Sequence, residues 1–124
     1  MKTLSLRRYA CFSSSKSLQN LNHLVEIHSN LMPHQVASAT GCSLNEAMAM
    51  LIFLFTRSLA EVFLLVYHNS DQVDPPTPIL ARSILEGLPD LPITCDVCGK
   101  EIEHRSDLSY DFLFKIIEKV RFVR

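Results

Sequence analysis

The 124 residues include no tryptophan, only three glycines and four cysteines, and their charges nearly cancel, at a net −1. Each scarcity excludes something. No Rossmann or Walker phosphate loop is present, and no G-x-S-x-G elbow. No two histidines stand at i, i+4 with an acid between them, as a zinc protease needs. Four unevenly placed cysteines do not make a disulfide scaffold. A charge near zero removes any strong global attraction to nucleic acid. There is no internal repeat, no low-complexity tract, and no long apolar run after Lys2 to act as a secretory signal. Enzymatic function is the least supported class, and the expectation is a non-enzyme.

What is present fits a single modest core with a small appended unit. The expected division is a domain at 1–88 with its N-terminal arm, then a hairpin and tail at 89–124. Residues 1–25 hold no acid, several basic residues and the cluster Ser13–Ser15. That composition resembles a mitochondrial transit peptide, but an ordinary N-terminal segment is the reading adopted. Ala47–Tyr67 has the length of a membrane span. Thr56, Arg57, Ser58 and Glu61 interrupt it, so a buried helix, a turn and a buried strand are expected instead. Cys11 and Cys42 read as isolated buried thiols. That usage points to a reducing, cytoplasmic setting.

In chain order, Leu4–Phe12 reads as a short strand or an arm carrying Arg7 and Arg8. Leu18, Leu21, Leu24, Val25 and Ile27 give an apolar stripe to a helix over about 16–29, capped by Ser15 or Ser17 and ended near Asn30. Pro33 opens a second helix that runs to about Thr40. A third follows from Leu44 to about Arg57, apolar on most faces after Met48. Glu61–Tyr67 is rich in β-branched and aromatic residues and reads as a strand, with Ile79–Ile84 as its partner. Further on, Leu108, Tyr110, Phe112, Phe114 and Ile116 alternate, whereas Leu108, Phe112, Ile116 and Val120 recur every four. The expectation is a strand through about Leu113 that gives way to a helix.

The organising stretch is His34–Phe55. Ala37 is small enough for two helices to cross closely, and Gly41 can adopt the positive φ that ends the first. Ser43 can cap the next helix, with Glu46 reaching back in a capping box. Val36, Ala47 and Met50 stand where they would be buried. These residues resemble the helix-turn-helix core of winged-helix domains. The resemblance implies an α+β fold: a three-helix core with a β-hairpin wing at His68–Pro78, followed by the small C-x-x-C hairpin.

In that family the second helix of the motif enters the DNA major groove. The matching residues here are Ser43, Asn45, Glu46, Met48 and Ala49, with Arg57 at the far end and Arg7, Arg8 and Lys16 as basic support. Asn45 is suited to adenine, and Ser43 to a phosphate. Charge argues the other way. Residues 31–94 carry two Lys/Arg against six acids, and the wing holds Asp71 and Asp74 with no cation. Phosphate contacts dominate DNA affinity. The favoured function is therefore a regulator or adaptor that works through protein contacts, with a sequence-specific DNA-binding regulator as the alternative. The concentrated run Leu51–Phe55 predicts self-association, a homodimer or a larger assembly.

Thr94–Glu101 (TCDVCGKE) resembles the knuckle of a zinc ribbon, and a C-x-x-C pair chelates tetrahedral zinc well. The expected ligands are Cys95, Cys98 and His104, with His68 or a second chain's thiolate pair as ways to complete the shell. Two other readings stand beside zinc: a redox pair, and a turn kept with both thiols reduced.

Overall fold

The computed structural model describes residues 1–69 and 77–124. Most of the expected wing, His68–Pro78, lies outside the described residues. The fold is mixed α+β. Its elements are β1 (Lys2–Ser5), α1 (Ser15–Ile27), β2 (Asn30–Leu31), α2 (Pro33–Thr40), α3 (Leu44–Thr56), β3 (Ala60–His68), β4 (Leu80–Ser83), β5 (Ile93–Thr94), β6 (Glu101–Ile102), β7 (Leu108–Ile116) and β8 (Val120–Val123). The chain forms two compact units, Met1–Val62 with Leu113–Arg124, and Phe63–Phe112. The boundary drawn from sequence at 88/89 falls inside the second unit.

Local chemistry accounts for the helices of the first unit. Ser14, one residue before the expected caps, accepts the Ser17 N–H at 3.2 Å and starts α1. Ser17 is buried instead, and its hydroxyl donates to the Thr40 carbonyl at 2.9 Å. The Asn20 amide donates to the Ala39 carbonyl at 3.0 Å. Two side chains of α1 thus satisfy carbonyls that α2 leaves unpaired at its C-terminus. Gly41 has φ +76°, and its N–H closes on the Ala37 carbonyl at 2.9 Å. Ser43 and Glu46 then form the expected capping box, with both bonds at 3.1 Å. Between α2 and α3 the axis turns by 118°. The turn lets Leu21, Val36, Ala47, Met50 and Leu54 share one core with Leu6, Phe12, Phe114 and Phe122, each no more than 1% exposed.

Three expectations are corrected here. Cys11 and Cys42 are not isolated thiols; they form a disulfide with Cα atoms 5.8 Å apart. It ties the 3-10 turn Ala10–Ser13, which follows the short strand β1, to the link between α2 and α3. Asn30 does not end the first helix but enters β2. The tail does not turn into a helix: it continues as β7 and β8. The two-residue alternation prevails over the four-residue one because β7 pairs on both sides, in a sheet of order β2-β7-β3-β4. Asn30 is opposite Lys115, and Leu31 opposite Phe114, in antiparallel register. β8 pairs in parallel with β1, and Asn22 of α1 grips its other edge, donating to the Phe122 carbonyl at 2.9 Å and accepting the Phe122 N–H at 2.7 Å.

In the second unit β3 pairs antiparallel with β4, Leu64 opposite Arg82 and Val66 opposite Leu80. β5 and β6 form a short hairpin, Ile93 opposite Ile102. Leu64, Val66, Cys95, Ile102 and Leu108 form the core of this unit, with Ile79, Leu80, Tyr110 and Phe112 packed around it.

Candidate functional site

The C-x-x-C turn is built by backbone geometry. The Cys95 N–H donates to the Lys100 carbonyl at 2.8 Å, and the Gly99 N–H donates to the Cys95 carbonyl at 2.7 Å. Gly99 has φ +77°, a conformation that suits a residue without a side chain. This tight turn follows β5 and brings Cys98 back beside Cys95. Cys95 is fully buried in the unit's core, whereas Cys98 is exposed.

β3 supplies the third group. Its last residue, His68, is 8% exposed, and its Nδ1 lies 3.5 Å from the Cys98 sulfur. One donor atom from each of His68, Cys95 and Cys98 falls within 4.8 Å of the others. Cys95 and Cys98 are thus brought together as the sequence indicated, and the partner is His68. His104 is exposed, stands just before the 3-10 turn Arg105–Asp107 without a side-chain cap to it, and lies outside this cluster. His104, the ligand expected from its closeness in sequence, is not among the three donors that converge. Two thiols and an imidazole form a donor set that suits a borderline-soft metal.

Next to His68, the Tyr67 phenol is pushed above its ordinary value of 10.0, first by burial and then by the Asp111 carboxylate.

The other candidate surface is α3, in the first unit. Ser43 and Asn45 are exposed at its start, and Met48 is half-buried. Leu44 is 55% exposed and Ile52 47%, with exposed Ala49 between them. At the far end the Arg8 and Arg57 guanidinium groups lie 5.0 Å and 5.8 Å from the centre of the Phe53 ring, and Tyr9 meets the same ring at 5.8 Å. Such cation–π contacts hold two like charges on one aromatic group. Arg7 and Lys16 are exposed, and among the described residues no ring contact or ion pair joins them to that cluster.

No family model matches the chain, and neither a curated protein nor a solved structure is similar enough to count as a match. Among the described residues no single helix is long and apolar enough to cross a membrane. The stretch Ala47–Tyr67 divides instead into most of α3, a turn and most of β3.

Proposed function

We propose that this chain is a winged-helix interaction module, a regulator or adaptor that acts through protein contacts and not through catalysis. One observation carries the reading. The outward face of α3 exposes Leu44, Ala49 and Ile52 beside the uncharged polar Asn45 and Thr56, and no Lys or Arg lies within Leu44–Thr56. A helix reading DNA works among phosphates and needs cations close by. An uncharged helix face with exposed Leu44 and Ile52 suits a protein surface. The turn of 118° across the three residues Gly41–Ser43 matches helix-turn-helix geometry. Of the run Leu51–Phe55 expected to drive self-association, Leu51 and Leu54 are buried in the core and Ile52 is the exposed member; self-association through Ile52, as a homodimer or larger assembly, belongs to this reading.

A second reading, sequence-specific DNA binding, draws on Arg8 and Arg57 at Phe53 and on exposed Ser43 and Asn45. Zinc is the ion assigned to the thiol pair, since thiolate and imidazole donors favour it over hard cations. A cytoplasmic location has the Cys11–Cys42 bond against it, because such bonds persist mainly in oxidising compartments. The interaction reading stands in either setting.

The test combines a pull-down from the native host, with and without nuclease, with light scattering and an electrophoretic titration. Association with self or partner should survive nuclease and weaken about tenfold or more in Ile52→Glu, with the helical circular-dichroism signal unchanged. At physiological salt no tight, sequence-selective DNA complex should form. A nanomolar complex that survives competitor DNA would transfer the assignment to the second reading.

A further inference from the structure

We propose that His68, Cys95 and Cys98 hold one zinc ion within each chain, the described residues supplying three of its four ligands. This rests on the zinc reading above and adds the three ligands and the stoichiometry.

The spacing fits. Tetrahedral zinc with Zn–S of about 2.3 Å and Zn–N of about 2.0–2.1 Å separates a sulfur and a nitrogen donor by about 3.6 Å, and two sulfurs by about 3.8 Å. Cys98 Sγ and His68 Nδ1 are 3.5 Å apart, and all three donors lie within 4.8 Å of one another. Closing on an ion therefore needs only small side-chain movements.

The charge balance fits as well. Two thiolates and a neutral imidazole around a dication sum to zero. That is the charge state a site beside Leu64, Val66, Ile102 and Leu108 accepts at least cost. The turn at Gly99 fixes both sulfurs, and β3 fixes the ring, so the donors are organised before the ion arrives. Exposed Cys98 marks the solvent side, through which an ion can enter.

Burial also argues against a site shared between two chains. Four sulfurs on one ion would need both copies' Cys95 at an interface, yet Cys95 is 0% exposed within its own chain. His68 already takes a position beside Cys98. Loading would release the thiol protons and join the end of β3 to the hairpin, so that binding free energy becomes local folding free energy.

The experiment uses the full chain purified without chelator. Zinc per chain is measured by elemental analysis, and affinity by competition with a chromophoric chelator. Cobalt(II) spectra report geometry and thiolate number. The variants are His68→Ala, His68→Cys and His104→Ala. Wild type and His104→Ala should hold close to one zinc per chain. His68→Ala should lose more than about 100-fold in affinity, beyond the range that outer-sphere changes produce. His68→Cys should restore binding and raise the thiolate-to-cobalt charge-transfer band by about half, as three thiolates replace two; a merely structural histidine would not give that. Zinc retained at full affinity in His68→Ala, or lost in His104→Ala, overturns the ligand set and leaves zinc itself standing. Half an ion per chain overturns the single-chain site. Wild type that binds neither zinc nor cobalt overturns this inference and the zinc reading together.

Discussion

At the scale of single residues, two side chains in the second unit show how position sets chemistry. His68 would be an ordinary strand-end histidine were Cys98 not 3.5 Å away. Its neighbour Tyr67 carries a phenol raised above 10.0 by burial and by Asp111. The consequence for pH has a definite sign. Below about pH 10 the phenol is protonated in both the folded and unfolded chain, and stability does not change with pH on its account. As pH rises past that value the unfolded chain gives up the proton first, so the folded state is progressively disfavoured until the native phenol ionises too. Tyr67→Phe should therefore flatten the loss of stability above pH 10 seen in denaturant titrations of wild type, with the two proteins alike near neutrality. Equal slopes in alkali would show that the phenol is not perturbed.

At the scale of elements, the link between α2 and α3 concentrates three constraints into Gly41-Cys42-Ser43. Gly41 has φ +76°, Cys42 is bonded to Cys11, and Ser43 shares a reciprocal pair of 3.1 Å hydrogen bonds with Glu46. The capping box was legible because its chemistry is local: a serine, a glutamate three residues on, and an apolar run behind them. Ser43→Ala should cost about 1 kcal/mol in chemical denaturation, with the midpoint lowered and the slope unchanged. A loss near zero would mean that water replaces the cap freely. The tail illustrates the opposite case. Leu108–Val120 satisfied two periodicities at once, and no rule within the segment chooses between them. Pairing with β2 and β3 chose strand, because a central position in a sheet satisfies the backbone of β7 on both edges.

At the scale of the whole molecule, the disulfide joins residues 31 apart in sequence and encloses all of α1 and α2. Cross-linking a loop of that size restricts the unfolded chain, a contribution of about 2–4 kcal/mol. Reduction by a strong dithiol, or the double change Cys11→Ser with Cys42→Ser, should lower unfolding free energy by about that amount while the chain stays folded. Leu21, Val36, Met50 and Phe122 are each no more than 1% exposed and form apolar contacts that remain when the bond is cut. Unfolding on reduction would give the disulfide a larger share than loop entropy supplies. The Arg8 and Tyr9 contacts with Phe53 lie just ahead of Cys11, so the same reduction should also loosen the arm from α3.

The sequence by itself determined what is decided within about four residues. The Gly41 turn, the Ser43–Glu46 cap, a strand over about Glu61–Tyr67 and the Cys95–Cys98 turn all follow from side-chain size, backbone freedom and hydrogen-bond reach along a short segment. Tertiary structure alone decided the rest. Cys11 met Cys42 because α1 and α2 fold the intervening chain back on itself. His68, not the nearer His104, met Cys98 because strand register governs which side chains converge. Distance along the chain carries almost no information about that convergence. The physical reason is the same in each case: a local hydrogen bond depends on a few dihedral angles, whereas a long-range contact depends on how every element between its partners is packed.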